Sequence, residues 1–274
     1  MRLYPVLIIS LLVLSSLFLT SFSSESKTET LAEIDIREIN NISYYEEGHE
    51  LDSDLTKLNL IIPEGEENPA VFLWIGGGAW AYVNRHQEMK LCRAIAKQGI
   101  LMVSVGHRLS PALLFEPKNP EGIQHPEHVK DVAQAFKWVY DHAEEYGYST
   151  KNIFVGGYSS GAHLAALLAA DERYLKAVGL SPTNIKAIVP VAGAYDIPHY
   201  RIAMKEEDAT QIESHIIPVF GTTEEAYVDA SPMTYIDQFN TPMLLISEAY
   251  TYDFTVLFEQ ALKEKGNKNY AVLN

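Results

Sequence analysis

Residues 153–170 read IFVGGYSSGAHLAALLAA. The run Ile153–Gly156 is apolar and uncharged, as expected of a strand buried on both faces. It leads directly into Gly157-Tyr158-Ser159-Ser160-Gly161, and Ala162–Ala170 continues as an Ala/Leu-rich helix. A G-x-S-x-G match is weak by itself, because five loosely specified positions recur by chance. Between an apolar strand and a helix it becomes specific. A sharp strand-to-helix turn holds its serine in a strained backbone conformation that lifts the hydroxyl above the sheet, and flanking glycines let neighbouring chain approach without Cβ clashes. The helix N-terminus behind it directs amide N–H groups toward developing negative charge. Ser159 is therefore the candidate nucleophile, against the alternative of a Ser/Gly-rich turn without chemistry.

The same alternation extends outward. Leu58–Ile62, Val71–Ile75, Ile100–Val105, Ile185–Ala192, Met243–Ile246 and Asn269–Leu273 read as strands. Arg85–Gln98, Pro126–Tyr146 and Thr255–Lys265 read as helices, the first two closed by Gly99 and Gly147. Alternating β and α with buried strands predicts an α/β protein with a mostly parallel, doubly wound sheet and helices on both faces. Pro198–Met233 is irregular and rich in acids and aromatics. No internal repeat is present.

The first residues belong to a different category. Met1-Arg2 precedes an apolar run, Val6–Leu19, and the small residues Ser21, Ser23 and Ser24 follow it. That layout predicts a secretory signal peptide over 1–23, and so a secreted or periplasmic protein without a stable membrane anchor after cleavage. An uncleaved anchor is the alternative, though the run is short for a spanning helix. Residues 24–54 read as a polar linker with early edge structure, and 55–274 as the folded domain. The formal charge of −15 disfavours nucleic acid as a partner. A single cysteine, Cys92, excludes an intramolecular disulfide and reads as a small core residue. Asn41-Ile42-Ser43 is a glycosylation triplet of the kind that arises by chance.

Gly76-Gly77-Gly78-Ala79-Trp80 follows the strand ending at Ile75. Consecutive glycines there expose backbone N–H groups, so Gly77, Gly78 and the amide of Ser160 are the candidate oxyanion donors. Gly76, Gly78 and Ala81 also satisfy a dinucleotide-binding fingerprint. That reading requires the first strand before the glycines and a helix after them, where Trp80 stands instead.

With these motifs placed, the chain resembles α/β-hydrolase esterases of the hormone-sensitive-lipase group, nearest in pattern to feruloyl-esterase-like and kynurenine-formamidase-like members. Gly76–Trp80 is similar to that family's His-Gly-Gly-(Gly)-x-Trp motif, without its histidine. His107-Arg108-Leu109-Ser110-Pro111 is similar to its Tyr-Arg-Leu-x-Pro segment, with His107 in place of tyrosine. Asp131, Ala135 and Trp138 match its Asp…Ala…Trp helix, and Ala194-Tyr195-Asp196 its segment after the next strand.

The resemblance implies a serine hydrolase that cleaves small-molecule carboxylic esters through an acyl-enzyme, with no metal or cofactor, and a cap over Pro198–Met233. The alternatives are an arylformamidase-type amide hydrolase and a non-catalytic binding protein on the same fold. The family order of Ser, acid, His puts the acid just past Met243–Ile246. Asp253 is preferred there, at a loop-to-helix boundary, with Glu248 in reserve. The catalytic histidine should follow the final strand, yet the last histidine is His215, so the sequence reads as cut off before that residue. His163 is expected to face away from the hydroxyl, His199 and His215 lie in the cap, and His125 and His128 flank a helix start rather than a metal. None is a good base.

Overall fold

The computed structural model describes residues 34–274; the expected signal peptide lies outside the described residues. Strands β1 (Ile36–Ser43), β2 (Lys57–Pro63), β3 (Val71–Ile75), β4 (Leu101–Val105), β5 (Ile153–Tyr158), β6 (Ile188–Val191), β7 (Met243–Ile246) and β8 (Tyr270–Leu273) form one sheet in the order β1-β2-β4-β3-β5-β6-β7-β8. β2 runs antiparallel to β1 and β4, and all other pairs are parallel. This is the mostly parallel sheet the alternating pattern predicts, in the α/β-hydrolase arrangement the resemblance implies.

Side-chain alternation sorts the sheet into two faces. Val71, Leu73 and Ile75 of β3 join the main core, while Trp74 joins a smaller cluster with Met89 and Cys92. The smaller cluster packs against α1 (Met89–Ala96), where Cys92 is buried and its thiol pushed up to about 12. The main face is covered by α2 (Glu127–Asp141), α3 (Ala143–Tyr146), α4 (Ser160–Ala170) and α5 (Glu172–Ala177). Every residue of α4 is buried, which is why its sequence lacks an amphipathic stripe.

The helix boundaries depart from the periodicity for local reasons. The predicted Arg85–Gln98 helix shortens to α1 because the Arg85 guanidinium turns inward to Asn41 and Asp54 and the Asn84 side chain accepts from the His86 amide. Pro126–Tyr146 is interrupted at His142, whose ring stacks on Trp138 and bonds its carbonyl. The β5 strand runs to Tyr158 and α4 starts at Ser160, so Ser159 alone makes the turn.

Pro198–Met233 is not irregular. It contains α6 (Ile197–Glu207), a π-helical turn (Ile212–Ile216), α7 (Ile217–Phe220) and α8 (Glu224–Asp229). Its start signals were present: Asp196 caps α6 and Thr223 caps α8 through side-chain oxygens, with Pro198 and Pro218 in first turns. α9 (Tyr252–Glu264) then connects β7 to β8, starting three residues before the predicted Thr255.

Candidate active site

The parallel registers align the C-terminal ends of the central strands. Ile75 pairs with Val105 and Gly157, Tyr158 with Val191, and Val191 with Ile246. The glycine turn after β3, the elbow after β5 and the loop after β7 therefore leave the sheet at one edge, where open α/β sheets bind ligands.

Ser159 has φ +52° and ψ −114°, a strained region for a residue with a Cβ. Its amide donates to the Val191 carbonyl at 2.9 Å, and its carbonyl accepts from His163 at 3.1 Å. Glycine at 157 and 161 is obligatory for this turn. A Cβ on Gly161 would lie 2.1 Å from the Ile75 carbonyl oxygen, and one on Gly157 would lie 2.6 Å from it.

The glycine turn comes up against the elbow. A Cβ on Gly77 would stand 3.3 Å from the Ser159 Cβ and 2.7 Å from the Tyr158 ring. Gly78 has φ +147° and packs its α-carbon on the Tyr82–Val83 backbone. Its carbonyl accepts from the Ala81 and Tyr82 amides at 3.0 and 2.7 Å, closing the turn. Ala79 and Trp80 are both left-handed, at φ +49° and +57°. Such positions cost about 1–3 kcal/mol each and persist only when surroundings over-determine them. Among the described residues, the amides of Gly77, Gly78 and Ser160 have no backbone acceptor. The dinucleotide alternative fails here: the glycines follow the third strand, and the next helix begins only at Met89.

The two acid candidates sit differently. Asp253 is exposed in the first turn of α9, with no contact to the elbow among the described residues. Glu248 is half-buried, and both its carboxylate oxygens accept from the Tyr158 hydroxyl, at 3.1 and 3.2 Å. The structure thus brings Glu248 to the elbow and leaves the preferred Asp253 outside. Tyr158 carried this information, but nothing in its sequence context marks which loop it would reach.

The nine histidines all lie in the described region. His163 is buried between the Trp80 indole and the Ala230 carbonyl, and burial pushes it down to about 3. His215 is buried against Trp80, shares a hydrogen bond with the Tyr200 hydroxyl at 2.9 Å, and is pushed down to about 4 by desolvation. His125 pairs with Asp229, while His128 pairs with Ser110, so the two share no ligand geometry. His107 bonds the Arg108 carbonyl, and Arg108 in turn clasps the fully buried Asp131. His199 is exposed, its ring edge-on to Phe254. Among the described residues no imidazole nitrogen hydrogen-bonds the Ser159 hydroxyl; the His163 contact to Ser159 is backbone to backbone.

The fold and this elbow define the class as α/β-hydrolase. The BD-FAE family pattern matches residues 58–264, and the chain belongs to that family. It is 31% identical over 181 residues to the probable carboxylic ester hydrolase LipM of Mycobacterium tuberculosis, covering 64% of this chain and 40% of that protein. Esterase LipC of the same organism is 26% identical over 182 residues, with 64% and 43% covered. The chain spans about two fifths of the length of these curated relatives. Among solved structures, esterase B from Lactobacillus rhamnosis inhibited by a tributyrin phosphonate superposes with TM-score 0.71 at 17% identity, over 89% of this chain and 75% of that one. A bacterial heroin esterase superposes with TM-score 0.68 at 20% identity, over 97% and 80%.

Proposed function

We propose that the protein is a serine hydrolase of small-molecule carboxylic esters, with Ser159 as nucleophile. The observation that carries this is the approach of Gly77 to Ser159 at the tip of a left-handed elbow. In the step this supports, Ser159 Oγ bonds to the ester carbonyl carbon as its proton passes to an imidazole base, which later gives it to the leaving alcohol, and the carbonyl oxygen becomes an oxyanion. The amides of Gly77, Gly78 and Ser160 stabilise it, worth about 3–4 kcal/mol per well-aimed donor. Collapse expels the alcohol, and water then releases the acid from the acyl-enzyme. Glu248, held by Tyr158, is the carboxylate that orients and stabilises an imidazolium. The cap segment Ile197–Asp229 would then help set the substrate. Relatives named as esterases support the ester over other acyl substrates.

The test is covalent trapping. A p-nitrophenyl alkylphosphonate should phosphonylate the chain once, at Ser159, and release one equivalent of p-nitrophenol. The Ser159→Ala variant should release none. Absence of the adduct from Ser159 in the folded protein would favour a non-catalytic binding role.

We also propose export, on the strength of the charged start and the apolar run Val6–Leu19 followed by small residues. N-terminal sequencing of the mature chain from an expressing bacterium should begin near Ser23 or Ser24. A mature cytoplasmic chain beginning at Met1 would refute it.

A further inference from the structure

Three parts of the molecule meet at the His163 ring. An indole nitrogen can only donate, so the Trp80 Nε1–His163 contact at 3.1 Å makes Nδ1 the unprotonated nitrogen. The proton is then on Nε2, which donates to the Ala230 carbonyl at 2.7 Å. Both ring nitrogens are committed and the residue is 1% exposed. Each partner belongs to a different element. His163 lies on α4, four residues past Ser159. Ala230 closes α8, and next to it the Ser231 hydroxyl accepts from the first amide of α6. Trp80 is the second of two consecutive left-handed residues in the glycine turn.

A turn with two such residues in succession relaxes unless something beyond its own backbone holds it. The bonds to the Gly78 carbonyl close the turn but do not fix where Trp80 points. The Ser110 amide holds the Trp80 carbonyl at 3.0 Å, and the indole supplies the remaining, side-chain constraint. It sits among His163, His215 and Phe220, and its one polar atom is tied to His163.

We propose that His163 is a positioning residue of the glycine turn: its Nδ1 fixes the Trp80 indole, and through it the left-handed backbone that aims the Gly77 and Gly78 amides at Ser159. The kinetic consequence rests on the serine-hydrolase reading above, whereas the conformational consequence does not. His163 takes no part in proton transfer, because neither of its nitrogens is free. Its neutral state follows from the same geometry, and burial pushes its protonation down to about 3.

Three variants separate this role from simple packing. His163→Leu removes the acceptor, Trp80→Phe removes the donor, and His163→Asn keeps an acceptor atom where Nδ1 stood. The first readout is hydrogen exchange at the Ala81 and Tyr82 amides, both bonded to the Gly78 carbonyl. Exchange should speed up at least roughly fivefold in His163→Leu and Trp80→Phe, about the worth of one hydrogen bond, and stay near the parent rate in His163→Asn. The second readout is phosphonylation of Ser159 by the p-nitrophenyl phosphonate. The limiting rate should fall roughly 10- to 100-fold in the first two variants with little change in half-saturation, as expected when oxyanion donors are misaimed. Parent-like exchange in both His163→Leu and Trp80→Phe would overturn the proposal. So would damage in His163→Asn equal to that in His163→Leu. Should His163→Leu not fold, Trp80→Phe against His163→Asn decides. If the parent chain is never phosphonylated, the serine-hydrolase reading falls, and the exchange rates still decide whether His163 holds the turn.

Discussion

The Tyr158 hydroxyl donates to both carboxylate oxygens of Glu248, at 3.1 and 3.2 Å, while the ring of the same tyrosine lies against Gly77. The residue before the candidate nucleophile thus touches both the glycine turn and the loop after β7. Burial and the Glu248 carboxylate push the phenol up to about 12, so near neutral pH it remains a donor. This link, absent at Asp253, is the contact on which the proposal of Glu248 as the triad carboxylate rests.

The carboxylate assignment predicts an order of effects on ester turnover. Where an imidazole acts as the base, Glu248→Gln should lower kcat on the order of 10²- to 10⁴-fold, as loss of a triad carboxylate does. Tyr158→Phe should cost about tenfold, because one hydrogen bond to a charged group is lost while the carboxylate stays. Asp253→Asn should change kcat less than about threefold, as expected of an exposed carboxylate outside the site. Steady-state kinetics on a short-chain aryl ester checks the order. A larger loss in Asp253→Asn than in Glu248→Gln would restore Asp253.

Stability should be more sensitive at the crowded elbow glycines than at open glycines whose backbone is left-handed. A Cβ at Gly161 meets the Ile75 carbonyl at 2.1 Å, and backbone there cannot yield without moving β3. Gly161→Ala should cost at least about 3 kcal/mol, in the range of severe core overpacking. Gly179 has φ +78° with nothing within 4 Å of its would-be Cβ, so Gly179→Ala should cost only about 1 kcal/mol of backbone strain. Urea denaturation of both variants measures the difference, and equal midpoints would contradict it.

The elbow and the strands were legible because buried strands and a glycine-flanked turn impose their composition locally. Ile153–Gly157 must be apolar or small, and Ser159 can turn only if residues 157 and 161 lack a Cβ. Met243–Ile246 was placed residue for residue for the same reason. The cap was misjudged as irregular because its helices are short and half-buried against aromatics such as Tyr200 and Phe220, which blurs the 3.6-residue stripe. Its caps at Asp196 and Thr223 were the usable signal. The carboxylate was ambiguous for a different reason: Glu248 and Asp253 are only five positions apart after β7, and the tertiary contact from Tyr158 reaches Glu248 alone. Trp80's tie to His163 spans 83 positions and leaves no local trace.

Stability should also fall on mild acidification. His163 and His215 are pushed down to about 3 and 4 from an ordinary 6.5 by burial. The unfolded chain therefore binds protons at these two sites before the folded chain does. Their stability contribution is complete above pH 6.5 and is lost as pH falls from there toward 4 and 3. At pH 5 the loss is about 2 kcal/mol per histidine by linkage. Denaturation midpoints at pH 7.5, 6 and 5 should fall in that order, with a shallower slope in His215→Gln. A flat profile between pH 7.5 and 5 would show that these rings are not held neutral.

The last prediction concerns the proton. Ester cleavage at Ser159 needs a group to take the hydroxyl proton, since an unassisted serine is a weak nucleophile at neutral pH. His163 and His215 are buried with assigned partners, His107 and His128 are buried against the Arg108 carbonyl and the Ser110 hydroxyl, and His125 faces Asp229. Removing the base from a serine triad costs on the order of 10⁶-fold. The 274-residue chain should therefore hydrolyse an aryl ester slowly, and added imidazole should raise the rate by diffusing to the place the intramolecular base would occupy. The gain should track the neutral fraction of imidazole as pH is varied. Subtracting the rate of the Ser159→Ala variant removes direct attack by imidazole on the ester, and a Ser159-dependent remainder is expected. If instead the chain turns over rapidly without imidazole, one of the nine histidines is the base. His199, exposed beside Phe254 at the start of α9, is the first to replace. Loss of turnover in His199→Ala, with phosphonylation of Ser159 slowed in parallel, would move the proton acceptor into the cap.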